Sequence, residues 1–189
     1  MVNEDDIVRQ REREVLAMSE VSLVVDNYDE IFSSFDPRPY SNRALSVDFL
    51  DEARRATREL NDGAFELRFL LPAEERKIER ESVIKKRLKE HFKKHHDLLE
   101  KEKKQIVRQG WKFVIFGFAF MFFAAFILYY YHAKISFFKE FLIVLLEPGG
   151  WFLFWEGLDL IIFKSKTITP DLEFYRKMTK AEVVFMHYQ

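Results

Sequence analysis

The chain has 189 residues, 48% hydrophobic and 32% charged, with only 6 Gly and 5 Pro; this describes one or two small ordered domains and excludes collagen-like, low-complexity and disordered classes. It has no cysteine, which removes thiol catalysis, thiolate metal sites, iron–sulfur clusters and disulfide scaffolds together. The net charge of -1 hides a segregation: residues 1–84 hold 12 basic and 20 acidic side chains, residues 85–108 hold 10 and 4, and 15 of the 21 Phe lie after Gly110.

The N-terminus, MVNEDDIVRQREREV, is acidic and lacks an apolar core segment, so it does not read as a cleaved signal peptide. Glu20 to Asp26 alternates with Val21, Leu23 and Val25 on one face and reads as a strand, followed by a loop rich in turn formers. Within that loop Pro37 and Pro39 stiffen the backbone around Asp36, Arg38 and Tyr40, which makes these three a ligand or partner surface or, equally, a segment docked on the sheet edge. A helix is expected from an N-cap at Ser46, with Phe49, Leu50, Ala53 and Leu60 at helical spacing until Asn61-Asp62-Gly63 stops it. Phe65, Leu67, Phe69 and Leu71 then alternate with Glu66 and Arg68 as a second strand ended by Pro72. A strand–helix–strand unit places its strands parallel, with a right-handed crossover.

From residue 73 a proline-free, strongly charged run reads as a stalk helix that continues into the first apolar segment. Ile84, Leu88, Phe92, His95, Leu99 and Ile106 share one stripe, which serves either packing on the chain's own domain or self-association. His91 and His95 have the spacing of a helical metal pair, but Lys89, Lys93 and Lys94 surround them, so a solvated face is expected and no metal or cofactor.

Phe113 to Tyr131 carries no formal charge; counted from Trp111 it covers about 30 Å as a helix, the thickness of a bilayer's hydrocarbon core. Trp111 at one end and Tyr129, Tyr130 and Tyr131 at the other mark the two interfaces. A second apolar stretch, Phe137 to Phe163, is interrupted by Pro148-Gly149-Gly150. It reads as a return span kinked at Pro148 or, alternatively, as an interfacial helix over 135–147 followed by a short descending segment. The connection HAKIS makes the two segments antiparallel neighbours. Lys101, Lys103, Lys104, Arg108 and Lys112 before the first span and Lys164 and Lys166 after the second outnumber Lys134 and Lys139 between them, so both termini are expected in the cytoplasm. The tail is expected to hold a short helix, with Thr169 as cap and Pro170 at its first position, and a last strand, AEVVFMHYQ, that joins the sheet.

The expected fold class is thus an α+β membrane protein: 1–72 a cytoplasmic α/β part, 73–110 a basic stalk helix, 111–164 a two-helix transmembrane hairpin, and 165–189 a tail completing the sheet. The layout resembles small two-span prokaryotic membrane proteins, a resemblance that carries no activity.

Glu147, Glu156 and Asp159 are ionisable groups within or near the spans, which cost several kcal/mol unless paired or wetted and so mark a functional site. Glu156 and Asp159 reach the level of Lys112 and Arg108 and are expected to pair there or to line an ion path. Glu147 with Pro148, Gly149 and Gly150 is the pore candidate, through carbonyls freed by a broken helix; two helices enclose no cavity, so a pore requires an oligomer. Lys101, Lys103, Lys104, Arg108, Lys164 and Lys166 are placed to meet lipid headgroups. No phosphate-cradling loop, nucleophile elbow or His-Glu-x-x-His motif occurs, which leaves a membrane-bound enzyme as the least favoured reading, and no stacking aromatics interleave the basic run, so nucleic-acid binding is not expected. The expectation is a homo-oligomeric membrane protein whose cytoplasmic domain senses or docks a protein partner and acts on the hairpin as a channel or membrane-perturbing effector. The competing expectation is a static anchor or scaffold.

Overall fold

The computed structural model describes residues 20–60, 63–130 and 136–188. The acidic N-terminus, the Asn61-Asp62 helix stop, and Tyr131 with His132 and Lys134 of the connection lie outside the described residues. The fold is mixed: a three-stranded parallel sheet with helices, two of them belonging to helical runs long and apolar enough to cross a membrane. The strands are β1 (Glu20–Val24), β2 (Phe65–Pro72) and β3 (Ala181–Tyr188), in the order β1-β2-β3. Helix α1 is Val47–Ala56, α2 Ile78–Tyr130 and α3 Phe137–Asp159; a π turn, Leu160–Lys164, leads into α4, Ser165–Thr179. The chain divides into two compact units, one made of residues up to Asp97 together with those from Glu173 onward, the other Leu98–Leu172.

In the first unit the period-two pattern of β2 acts as its composition dictates. Phe65, Leu67, Phe69 and Leu71 are almost completely buried, and Val21 and Leu23 of β1 and Phe185 of β3 join them on the same face. The Phe69 ring stacks on Phe185 at 5.2 Å and meets Phe49 of α1 at 5.7 Å. On the other face Arg68 bridges Glu20 and Glu66, while Val24 and Met186 stay exposed. A parallel sheet usually hides both faces, so this half-bare side departs from the norm.

Ser46 caps α1 by accepting from the Phe49 amide. Beyond its other end Lys177 of α4 donates to the carbonyls of Thr57 at 3.1 Å and Leu60 at 2.6 Å, supplying a cation at the negative end of the helix. Helix α2 starts five residues later than the sequence suggests, because a short 3-10 turn, Ala73–Glu75, follows Pro72 first. The reason is a buried polar knot at its start. Glu81 accepts from Arg76 Nε at 2.9 Å and from the Tyr28 hydroxyl at 3.1 Å, and Tyr28 in turn accepts from the Lys77 amide at 2.9 Å. Burial pushes the Glu81 carboxyl up, but these hydrogen bonds and the charges of Arg76 and Lys85 outweigh it and hold the group below its ordinary range.

Ile84, Leu88 and Phe92 are buried in this unit, so the first half of the α2 stripe is used within the chain's own fold. His91 corrects the solvated-face expectation: it is buried, stacked on His95 at 4.0 Å, and His95 stacks on Tyr175 at 5.2 Å. Pro170 is a second correction. It lies inside α4 and Thr169 is no cap, because the π turn carries the helix forward from α3 so that no new start is needed.

Candidate functional site

The second unit is organised by four glycines. Gly110 and Gly117 of α2 are seven residues apart, as are Gly150 and Gly157 of α3, and they face one another in opposite order. A Cβ on Gly117 would lie 2.6 Å from the Gly150 carbonyl oxygen and 2.5 Å from the Phe154 nitrogen; one on Gly157 would lie 2.6 Å from the Gly110 carbonyl oxygen. The backbones therefore touch directly, as small residues permit, and the helices are antiparallel. Ala124, Ile127 and Ile143 are buried further along the same pair.

This contact overturns the broken-helix reading of Pro148-Gly149-Gly150. Helix α3 runs through Pro148 without interruption, and Gly150 is spent on the approach to Gly117 and Met121. Pro148 still lacks an N–H, so the Val144 carbonyl one turn earlier loses its helical donor.

The glycine pairs also fix levels along the two helices. Counting from Gly117 opposite Gly150, Glu147 stands level with Phe120, Glu156 with Trp111 and Asp159 with Arg108. Glu147 is exposed, and Val144 and Pro148 share its outward face at helical spacing. Glu156 is half-buried and Asp159 exposed; among the described residues no ion pair joins either to Lys112 or Arg108, whose side chains are themselves exposed. Equal height does not bring the groups together, because the glycine seam occupies the facing sides and leaves the charges pointing outward.

The basic residues gather at one end of this unit. Lys101, Lys104, Arg108, Lys112, Lys164 and Lys166 are exposed, while Lys103 is half-buried and donates to Thr169 Oγ1 at 3.0 Å. Thr169 donates on to the Ser165 carbonyl at 3.1 Å, and Ser165 to the Ile161 carbonyl at 2.5 Å, so a hydroxyl ladder follows the π turn. Lys104 pairs with Glu100 at 2.9 Å. On the sequence alone Lys103 and Lys104 looked alike; the structure gives each a different partner.

In the first unit the stiff loop is held by its own members. Asp36 accepts from Arg38 Nε at 2.9 Å, Arg38 Nη2 at 2.7 Å, the Arg38 amide at 3.2 Å and the Ala44 amide at 2.7 Å. The Arg38 bonds, helped by the Ala44 amide, hold the Asp36 carboxyl well below the usual carboxylate range. Tyr40 donates to Asp29 at 3.1 Å, where Arg43 also arrives at 2.5 Å, and its ring rests on Phe32. Asp36 and Arg38 are thus brought together, while Tyr40 engages Asp29 and Phe32 instead. Sequence reasoning passed over Phe35 beside them, which is 95% exposed. The glycines were also missed, although two pairs of the same spacing on two apolar helices were there to read.

Among the described residues no group of three or more His, Cys, Asp or Glu is placed to hold a metal. Compared with known proteins, the chain matches no family model, no curated protein and no solved structure.

Proposed function

We propose that the chain is an integral membrane protein that presents a small cytoplasmic α/β unit as a docking scaffold on a glycine-locked hairpin of α2 and α3, with both termini cytoplasmic. The observation that carries this reading is the bareness of the apolar helices: in each apolar window only 17% is buried. Phe116, Phe118, Phe122, Phe152 and Trp155 all point away from the protein. A soluble core helix hides such side chains, whereas lipid tails accept them. The rigid loop supports docking, because Phe35 stands on a frame already tied by Asp36, Arg38 and Tyr40 and would lose little freedom on contact.

The absence of cysteine supplies the test. Single Ser34→Cys and Ser136→Cys variants, treated with an impermeant maleimide, are expected to react from opposite sides of a sealed membrane, and the chain is expected to resist carbonate extraction. A chain that leaves the membrane in carbonate ends this reading.

A homo-oligomer that acts as a channel or membrane-perturbing effector is the second reading, favoured by Glu147. Its level lies near the middle of the Trp111–Tyr131 segment, on an outward face shared with Val144 and Pro148, where lipid offers no hydrogen-bonding partner. A neighbouring copy would supply one. Vesicle conductance abolished by Glu147→Gln supports that reading, and tight vesicles at known occupancy end it.

A further inference from the structure

At the basic end of the helix pair, Lys103, Lys104, Val107 and Arg108 of α2 and Leu172 of α4, with Glu100, line a groove of about 490 Å³. Three cations face one carboxylate there, and Lys104 already holds that carboxylate at 2.9 Å. Lys103 is aimed by its bond to Thr169, at the end of the hydroxyl ladder, and keeps two N–H donors. Arg108 has no hydrogen bond or ion pair among the described residues, so its whole donor fork is available. Val107 and Leu172 give the same groove an apolar wall. Arg108 precedes Trp111 by three residues and Lys104 by seven, roughly 5 and 10 Å along the helix, the height of a headgroup layer if Trp111 marks its inner boundary.

We propose that this groove binds one anionic phospholipid, its phosphate held by Arg108, Lys103 and Lys104 and the start of its acyl chains against Val107 and Leu172; the proposal rests on the membrane reading above. A free phosphate satisfies the same donors but has no use for the apolar wall. The site also differs from a general attraction of basic residues to an acidic surface, because it makes position matter more than charge. Lys101 and Lys166 carry the same charge and do not line the groove.

The test is native mass spectrometry of the full chain released from nanodiscs of phosphatidylglycerol and phosphatidylcholine. The expected result is one retained phosphatidylglycerol. Arg108→Gln alone weakens retention, and Arg108→Gln with Lys103→Gln weakens it roughly tenfold or more, while Lys101→Gln with Lys166→Gln leaves it near wild type. Equal loss in the two double variants overturns the site in favour of diffuse charge, and complete competition by millimolar glycerol phosphate overturns the lipid in favour of a soluble anion. Carbonate extraction of each variant separates the two failures: a chain that stays in the membrane without selective retention overturns the site alone, and one that leaves it overturns both readings.

Discussion

Gly117 and Gly150 each occupy the space that the other's side chain would need: a Cβ on Gly150 would lie 2.8 Å from the Gly117 carbonyl oxygen, while Gly149, one residue earlier, has nothing within 4 Å. Adjacent glycines in one Pro-Gly-Gly run therefore make opposite predictions. Gly150→Ala and Gly117→Ala are expected to destabilise the helix pair by about 1–3 kcal/mol through forced separation. Gly149→Ala is expected to be neutral or to stabilise by up to about 1 kcal/mol through helix propensity. Thermal unfolding followed by circular dichroism in detergent measures all three, and equal effects at 149 and 150 would contradict the seam.

On the membrane reading, replacing Glu147 with Leu is expected to leave insertion intact or to improve it, since a charged residue placed at mid-span costs roughly 3 kcal/mol. The same change is expected to dissolve any oligomer that forms in mild detergent. Light scattering before and after the substitution decides; an unchanged assembly would show that copies associate elsewhere.

His91 predicts a pH dependence. Burial, then the nearby charges of His95, Arg87 and Lys94, lower it from the ordinary 6.5 to about 4. The unfolded chain therefore takes up a proton first as pH falls, so stability is complete above pH 6.5 and declines between 6.5 and 4, by at most about 3 kcal/mol. His91→Leu should flatten that slope in hydrogen-exchange measurements on β2. Persistence of the slope would assign it to another group.

Glu81 acts in a lower window. Its carboxyl lies below the ordinary 4.5, so what it contributes is present above that value and disappears as pH falls below it. Glu81→Gln should cost about 1–3 kcal/mol at neutral pH, by leaving Arg76 and Tyr28 with a poorer acceptor, and should remove the acid loss. Tyr28→Phe, which orphans only the Lys77 amide and one Glu81 bond, should cost less.

Phe35→Ser is expected to change stability by no more than about 0.5 kcal/mol, because the ring touches little. If the loop docks a protein, the same change should abolish co-purification while Arg38→Ala weakens it. Retained co-purification in Phe35→Ser would remove the loop from consideration.

Much of the sheet unit was legible because its signals are local. The alternation from Phe65 to Leu71, the cap at Ser46 and the apolar run at 181–188 each declare themselves within a few residues, and the helical crossover makes β1 and β2 parallel. What stayed hidden depends on contacts far apart in sequence. Nothing near Ala73 announces that Tyr28 holds the start of α2, nothing near Pro170 announces a π turn eight residues earlier, and Gly150 reads as a helix breaker until Gly117 stands opposite. For the candidate sites, composition located the polar residues, but their facing directions decided which of them meet.

The strand order carries a consequence for biosynthesis. β2 is the middle strand, yet its second neighbour, β3, is encoded after both long apolar helices. While the ribosome makes those helices, one side of β2 stays open and Phe69 waits for Phe185. The sheet can close only after the hydrophobic segments have left the tunnel, so a nascent chain stalled before Ala181 carries an unsealed edge that chaperones and proteases can recognise.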